Sequence, residues 1–491
     1  MLQAESRRVR EALIAKLRDI LPRQFVLTET EQLRPYECDG LTAYRQLPWI
    51  VVLPSNSEEV EKILALCTAC GVPVVARGAG TGLSGGALPH PHGVLLSMTR
   101  LDRILSVDRA NRTARVQPGV RNIAISEEVE GMGLYYAPDP SSQIACSIGG
   151  NVAENSGGVH CLKYGLTVHN ILKLEVVLMS GESVTIGADA LDMPGYDLLA
   201  LMTGSEGMLG VVTEVTVRLL PKPAVARVIL AAFDDLAMAG NAVAAIIGAG
   251  IIPGGLEMMD NPAIRAVEDF VHAGYPRDAA ALLLCELDGT ESEVEAGIRV
   301  VTRILELQGA TEIRVATDEA ERQRFWSGRK NAFPAVGRIS PDYYCIDGTI
   351  PKKRLGEVLT GISKLSNEYD LRVANVFHAG DGNLHPLILY DGSQPGEFER
   401  TEALGGKILE LCIAVGGTIT GEHGVGVEKL NQMCVQFEAP ELDQFHAIKK
   451  AFDPAALLNP GKAVPTLARC AEFNAMHVHK GRLPFPELPR F

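Results

Sequence analysis

The stretch Arg77-Gly78-Ala79-Gly80-Thr81-Gly82-Leu83-Ser84-Gly85-Gly86, here called the Gly-rich loop, decides the fold. It follows a short apolar, strand-like segment, and its glycines at 80, 82 and 85 formally match the G-x-G-x-x-G dinucleotide fingerprint. That fingerprint requires a helix beginning at the loop, whereas Pro89 and Pro91 exclude a helix of useful length here. The alternatives are a loop whose backbone N–H groups cup a pyrophosphate without a helix, or an ordinary Gly-rich turn.

Further turn-forming segments follow the Gly-rich loop. They are Pro138–Ser142, Ser147–Asn151, Asn155–Gly158 and Thr203–Gly207. Each is rich in the Gly, Pro, Asn, Asp and Ser residues that favour turns. So many turns beside one Gly-rich loop predict a long cofactor that runs through this part of the chain.

A second informative stretch is His378-Ala379-Gly380-Asp381-Gly382-Asn383-Leu384-His385. Asp-Gly favours a two-residue hairpin turn between antiparallel strands. A chain folded at Asp381-Gly382 places His378 directly opposite His385, with Cβ atoms about 5 Å apart. We therefore expect two imidazoles side by side on one face of a hairpin.

The segment Gly421-Glu422-His423-Gly424 adds a carboxylate and a third imidazole in a flexible frame. Two His and one Glu form a common ligand set for a divalent ion with an open coordination position. We therefore expect His378, His385 and Glu422 to bind Zn²⁺, Mn²⁺ or Fe²⁺, and His423 to act as a base. The alternative is a polar hairpin with two hydrogen-bonded histidines.

Composition restricts the functional class. The chain has 491 residues and a net charge of −14, without a long basic run, which argues against nucleic acid as a partner. No stretch of about 18 uninterrupted apolar residues predicts a membrane span. Ten cysteines lie scattered without a framework pattern, so we expect reduced thiols and a cytoplasmic protein. The CxxC at Cys67 and Cys70 is by itself weak evidence for a redox or metal role.

The pattern of apolar residues predicts an α+β protein of several parts. We expect an N-terminal helical lead at 1–47, a strand-rich cofactor domain at 48–222, an α+β substrate or cap domain at 223–415, a C-terminal segment completing the active site at 416–468, and a tail at 469–491.

In combination these motifs resemble a known superfamily. Residues 48–222 resemble the FAD-binding domain of the vanillyl-alcohol oxidase and para-cresol methylhydroxylase flavoproteins. The C-terminal half resembles the FAD-linked D-2-hydroxyacid dehydrogenase branch through residues 378–385, 422–424 and Asn459-Pro460-Gly461-Lys462. Gly328-Arg329-Lys330, Tyr343-Tyr344-Cys345 and a Pro-Phe-Pro-Glu tail are similar to the catalytic subunits of bacterial glycolate oxidases.

The resemblance implies a two-part FAD-binding domain with an α+β cap domain. It also implies that Arg329 binds the substrate carboxylate. Relatives that attach FAD covalently carry a His after the loop, where this chain has Gly80-Thr81-Gly82, so we expect non-covalent FAD. The FAD-lining residues it implies are Arg77, Gly78, Ala79, Gly80, Thr81, Gly82, Ser84, Pro138, Asp139, Ser141, Ser142, Gly149, Gly150, Asn151, Asn155, Gly210, Val211 and Asn459.

The function implied is oxidation of a small 2-hydroxy acid, with glycolate converted to glyoxylate. Cys345 and Leu387 replace the Lys and Asn of relatives that act on dicarboxylates, which favours a short substrate. The alternatives are a D-lactate dehydrogenase and a non-catalytic flavin subunit that relays electrons. The resemblance also implies an iron–sulfur subunit and a second flavin-domain subunit as partners, in a complex that could sit at the inner membrane face.

Overall fold

The computed structural model describes residues 2–190, 194–466 and 469–470. Almost all of the expected tail, including its Pro-rich segment, lies outside the described residues. None of the described helices is long and apolar enough to cross a membrane.

The α-helices of the described residues are α1 Leu2–Ile20, α2 Thr30–Leu33, α3 Ser57–Cys70, α4 Asn122–Val129, α5 Ile148–Glu154, α6 Cys161–Tyr164, α7 Leu198–Met202, α8 Leu236–Gly248, α9 Asn261–Val271, α10 Glu291–Leu307, α11 Glu319–Lys330, α12 Ala332–Val336, α13 Leu355–Tyr369, α14 Glu397–Ala414, α15 Leu430–Gln436 and α16 Ala439–Phe452. The strands are β1 Val26–Leu27, β2 Ile50–Val52, β3 Val74–Arg77, β4 Val94–Ser97, β5 Ile104–Asp108, β6 Thr113–Val116, β7 Leu134–Tyr135, β8 Ile171–Val177, β9 Ser183–Gly187, β10 Val211–Arg218, β11 Leu220–Pro221, β12 Val225–Phe233, β13 Gly255–Asp260, β14 Ala281–Gly289, β15 Glu312–Val315, β16 Asp342–Cys345, β17 Gly348–Thr349, β18 Val373–Phe377, β19 Asn383–Leu384 and β20 Pro386–Tyr390.

A four-stranded sheet in the order β1-β2-β4-β3 carries the Gly-rich loop at the end of β3. Helix α3 covers this sheet because its apolar residues recur at helical spacing and are buried, while Asn56 caps its first turn by accepting from the Glu59 N–H. No helix lies between β3 and β4, as the prolines predict. Near the other end of the described chain, the Asn459 N–H donates to the Val74 carbonyl, so residues far apart in sequence meet at this sheet.

The N-terminal half also contains a five-stranded antiparallel sheet in the order β5-β6-β10-β8-β9 and a two-stranded sheet of β7 and β11. The segment Ser147–Asn151, predicted as a turn, is instead the start of helix α5. Its glycines serve close packing rather than a reversal of the chain: a Cβ on Gly149 would overlap Pro118. The turn prediction is therefore wrong at this segment.

The C-terminal half is built on a seven-stranded sheet in the order β15-β12-β14-β13-β18-β20-β16. Helices cover both faces, so alternate residues of one strand enter two cores. On β14, Leu283 and Cys285 face the core that contains α8, α10 and α13, whereas Leu282 and Leu284 face the core that contains α9, α11 and α12. Burial on both faces explains why the strands of this sheet are continuous apolar runs in the sequence. The division of the chain at residues 47, 222, 415 and 468 stays a prediction.

One expectation about the cysteines is wrong. Cys434, on α15, and Cys470 form a disulfide, so the thiols are not all reduced. The spacing of the cysteines did not predict this disulfide, because Cys434 and Cys470 meet only after the chain has folded back along α15 and α16. Cys67 and Cys70 are both free, and α3 buries Cys67 in the core beside the sheet.

Candidate active site

The two histidines of the 378–385 segment lie close together, but not in the predicted register. Asn375 pairs with Pro386 and His378 with Asn383, so the hairpin is shifted by two residues from the expected His378–His385 pair. The loop therefore contains four residues, 379–382. The Asp381 side chain accepts from the Asn383 N–H, which favours this longer loop. The imidazoles become diagonal neighbours on one face, and their ring centroids lie 5.2 Å apart.

Glu422 joins these histidines in a buried cluster. Its Oε1 lies 3.4 Å from His378 Nε2 and 3.3 Å from His385 Nε2. Both nitrogens are buried and lack a hydrogen-bond partner among the described residues. Burial raises the pKa of Glu422, but the neighbouring imidazoles, His378 foremost, outweigh it and lower the pKa to about 2. An ionised carboxylate that faces two unpartnered imidazole nitrogens fits a divalent cation.

A second grouping, Asp347 with His385 and His423, also has its ligand atoms within 4.8 Å of one another. Asp347 is the weaker candidate ligand because its carboxylate already has a cationic partner, Lys429 Nζ at 3.2 Å. Among the described residues, the ion-pair partners of Glu422 are the imidazoles of His378, His385 and His423. The His378–His385–Glu422 cluster is therefore the better cation site.

A buried glutamate links the cluster to Arg329. Glu257, on β13, lies 2.7 Å from His378 Nδ1 through Oε1 and 2.7 Å from Arg329 Nε through Oε2. Burial alone would lower the pKa of His378, but the carboxylates of Glu257 and Glu422 raise it well above its usual value, so a cation bound at Nε2 would replace a proton there. Arg329 keeps a second buried nitrogen, Nη2, without a partner among the described residues. Arg329 is buried, and neither it nor His378 is among the residues that line the cavity described below.

His423 lies against the cluster on the other side, and its ring stacks on that of His385. Burial, aided by the charge of His385 and opposed by that of Asp347, lowers the pKa of His423 to about 4. The imidazole is therefore neutral near pH 7 and able to accept a proton. Its Nε2 lies 3.9 Å from Glu422 Oε1 and faces the cluster.

A single cavity of about 400 Å³ connects the Gly-rich loop with the imidazole cluster. Its walls include residues 77–83 at one end and His385, Glu422 and His423 at the other, with Phe333 beside them. The Phe333 and His385 ring centroids lie 6.4 Å apart. A ligand that occupies the loop end can therefore extend to the imidazoles.

The loop end of the cavity is shaped by close backbone approach. A Cβ on Gly80, whose φ is +73°, would overlap the Arg77 guanidinium, and a Cβ on Gly78 would overlap the Ser147 hydroxyl. The backbone N–H groups of Gly80, Thr81 and Gly82 find no backbone acceptor within the described part of the chain. Such a loop leaves room and donors for a phosphate-bearing ligand.

The cavity brings together most of the predicted cofactor residues. The predicted residues that line it are Arg77, Gly78, Ala79, Gly80, Thr81, Gly82, Ser141, Ser142, Gly149, Gly150, Asn151, Gly210 and Val211. Predicted residues that do not line it are Ser84, Pro138, Asp139, Asn155 and Asn459.

These five have other contacts. The Ser84 carbonyl accepts from the Val427 and Glu428 N–H groups. The Pro138 carbonyl accepts from Asn122, Asp139 pairs with His160, and the Asn155 side chain accepts from the Val168 N–H. Asn459 donates to the carbonyls of Gly86 and Glu206. The role of each predicted cofactor and metal residue stays a prediction.

Two residues central to the site were missed from the sequence, Glu257 and Asp347. Both are fully buried carboxylates in or beside apolar strands. A lone acidic residue within an apolar run such as Leu256-Glu257-Met258 is the signal that could have identified them, because an unpaired buried charge is too costly to retain.

Two protein families together match most of the chain. Residues 48–187 match the family "FAD binding domain", and residues 222–463 match "FAD linked oxidases, C-terminal domain". The chain is 68% identical to glycolate oxidase subunit GlcD of Escherichia coli (strain K12), over 98% of this chain and 97% of the relative. It is 32% identical to D-lactate dehydrogenase of Anaerostipes hadrus, over 94% and 99% of the two chains.

Among solved structures, p-cresol methylhydroxylase with substrate bound is similar, with a TM-score of 0.78 and 18% identity. The match covers 93% of this chain and 97% of that one. The likeness confirms the predicted α+β class and the para-cresol methylhydroxylase type of fold.

Proposed function

The chain belongs to the FAD-linked oxidases, and from this premise we propose that it oxidises glycolate to glyoxylate. The observation that carries the proposal is the single cavity that joins the Gly-rich loop to His385, Glu422 and His423. A flavin site and a set of acid–base and cation-binding groups thus share one space, as a hydride transfer requires.

The Gly-rich loop and α5 would hold FAD, because Gly78 and Gly80 leave space that any side chain would fill. Binding is non-covalent, since Gly80-Thr81-Gly82 offers no histidine for a flavin linkage. The chemistry that bound FAD supplies is acceptance of the hydride from the substrate carbon.

A divalent ion held by His378, His385 and Glu422, namely Zn²⁺, Mn²⁺ or Fe²⁺, would supply Lewis acidity toward a 2-hydroxy acid. The fit rests on the two unpartnered imidazole nitrogens beside an ionised carboxylate. Glu257 fixes the His378 ring through Nδ1, which leaves Nε2 toward the cluster.

The protein's own groups have distinct roles in the proposed reaction. Arg329 binds the substrate carboxylate through the free Nη2, while Glu257 holds its Nε. His423 takes the proton of the substrate hydroxyl at Nε2. Phe333 beside His385 limits the room for a longer substrate.

Oxidation of D-lactate is the second candidate, because a relative with that name aligns over 94% of this chain. The two substrates differ by one methyl group, which a pocket distinguishes by only about 1–3 kcal/mol. Apolar Cys345 and Leu387, both buried, offer no charged partner for a distal carboxylate, so both candidates are short monocarboxylates. A non-catalytic relay subunit is disfavoured because such a protein needs neither the cation cluster nor His423.

We place the chain in a multisubunit complex, since a 68% identical relative is named as a subunit. An iron–sulfur subunit and a second flavin-domain subunit are the proposed partners, with the complex at the inner membrane face. The described residues show only one close CxxC pair, Cys67 and Cys70, too few thiols for an onward iron–sulfur carrier.

The test is side-by-side kinetics of the purified chain on glycolate and D-lactate with an artificial electron acceptor. We expect the higher kcat/KM on glycolate. A higher value on D-lactate would reassign the substrate, and no turnover of either acid by flavin-loaded protein would refute the proposal.

A further inference from the structure

We propose that Asp347 is the positioning residue that directs Glu422 and His423 into the cavity together. The inference rests on the proposed function, since it assigns Glu422 to a cation and His423 to proton transfer. Asp347 itself need not touch the substrate, because it acts through the backbone of the 420–424 turn.

The Asp347 carboxylate lies at the centre of this turn and is fully buried. Its Oδ2 accepts from the Thr420 hydroxyl at 2.6 Å, the Gly421 N–H at 3.0 Å and the His423 N–H at 2.9 Å. Its Oδ1 accepts from the Glu422 N–H at 3.2 Å. Three consecutive backbone donors thus converge on one carboxylate.

This convergence solves a geometric problem. Adjacent residues of an extended strand direct their side chains to opposite faces, so a strand could not present both Glu422 and His423 to one cavity. Three successive N–H groups that point at one anion wrap the backbone into a concave arc instead. The two side chains then leave the arc on the cavity side, and both line the cavity.

Lys429 secures the other end of the turn. Its ammonium lies 3.2 Å from Asp347 Oδ2 and donates to the Gly424 carbonyl at 2.9 Å. Gly424 has a φ of +79°, a conformation that side chains rarely adopt. The charge of Asp347 is thereby balanced, and the turn is held at its start by Thr420 and at its end by Lys429.

Glu206 holds the chain just after the turn by accepting from the Val425 and Gly426 N–H groups, but it does not bond to residues 421–423. A Cβ on Gly421 would overlap the Asn383 amide, so the backbone at this position lies directly against the hairpin. Gly421 has no side chain that could fix the backbone there. Among the described residues, the backbone donors at 421, 422 and 423 have no other acceptor than Asp347. Loss of the carboxylate would leave three half-buried backbone donors without their acceptor, which favours rearrangement of the turn.

The test compares Asp347→Asn, Thr420→Val and Thr420→Ser with the wild-type protein. Asn removes the charge at nearly the same size. Val has nearly the shape of Thr but lacks the hydroxyl that donates to Asp347. Ser keeps this hydroxyl and is the matched control. Two readouts are used: Mn²⁺ affinity by titration, which reports on Glu422, and the limiting rate of anaerobic flavin reduction by glycolate at saturating Mn²⁺, which reports on His423.

We expect Asp347→Asn to lower the limiting rate of flavin reduction by about 100-fold, because a catalytic group displaced by about 1 Å loses activity on this scale. The FAD content should be unchanged. Thr420→Val should weaken Mn²⁺ binding and slow reduction by about tenfold, as the loss of a hydrogen bond to a charged group predicts. Thr420→Ser should stay within about twofold of wild type.

Rates and Mn²⁺ affinities within about twofold of wild type in both Asp347→Asn and Thr420→Val would overturn the inference. If Asp347→Asn does not fold, the Val and Ser pair decides. A wild-type protein that binds Mn²⁺ but is not reduced by glycolate would refute the proposed function alone, and the Mn²⁺ titrations of the Thr420 variants would still decide the role of Asp347.

Discussion

The rings of His385 and His423 stack with centroids 4.9 Å apart and planes inclined by 4°. Two parallel imidazoles at this distance disfavour a positive charge on both, and burial lowers the pKa of His423 to about 4. The pair can therefore divide its roles: His385 faces the cation cluster, and His423 remains a neutral proton acceptor.

Replacement of His423 by Ala should abolish turnover while FAD stays bound. A general base contributes about 10²–10⁴-fold, so kcat should fall at least about 100-fold. Steady-state kinetics on glycolate together with the visible flavin spectrum provides the measurement. A variant that keeps more than about a tenth of wild-type kcat would show that His423 is not the base.

Replacement of Glu257 by Gln should weaken cation binding. The neutral amide cannot form the charge-assisted hydrogen bond that the Glu257 carboxylate forms with His378 Nδ1. Loss of a carboxylate that supports a ligating histidine typically lowers metal affinity by about 10–100-fold. Glu268→Gln is the matched control, because Glu268 is also buried but, among the described residues, accepts only from the Tyr275 N–H. Equal Zn²⁺ affinities for the two variants, measured by competition with a chelator, would contradict the assignment.

Denaturation should release FAD into solution. The structure places Gly80-Thr81-Gly82 along the cavity, and none of these residues can form a flavin linkage. The measurement is flavin absorbance in the supernatant and pellet after acid precipitation. Flavin that stays with the precipitated polypeptide would refute non-covalent binding.

A histidine bridge between the N-terminal and C-terminal halves should make stability pH-dependent. His160 Nδ1 lies 2.7 Å from Asp139 Oδ2, and its Nε2 lies 3.2 Å from Glu286 Oε1. Burial lowers the pKa of His160, but the two carboxylates outweigh it and raise the pKa well above its usual value.

Because the folded pKa exceeds the unfolded value of about 6.5, the bridge contributes fully at lower pH, and its contribution is lost as pH rises through the folded pKa. The gap in melting temperature between wild type and His160→Gln should therefore be widest in mild acid, at about pH 5–6, and narrow in alkali. A gap that widens with increasing pH would contradict this.

The sequence predicted the parts of the site that are local. The glycines and prolines after β3 indicated a loop without a helix, and this outcome depends on turn chemistry within a few residues. The residue types at 378, 385 and 422 indicated a shared site from ligand preference, and cation binding there stays a prediction.

What the sequence did not predict depends on distant contacts. The hairpin register is set partly by bonds from the Gly380 N–H to the Leu256 carbonyl and from the Ile350 N–H to the Gly382 carbonyl. The partnerships of Glu257 with His378 and of Asp347 with the 420–424 turn likewise join residues more than 70 positions apart. Local turn preferences carry no information on such pairs.

The most direct test of the central claim is an anaerobic titration of the isolated, FAD-loaded chain with glycolate. The absorbance of oxidised flavin should disappear, with one glyoxylate formed per flavin reduced, and His423→Ala should remain oxidised over the same period. Flavin that stays oxidised in the wild-type protein with both glycolate and D-lactate, yet is fully reduced by dithionite, would contradict the assignment of a catalytic 2-hydroxy acid site to this chain.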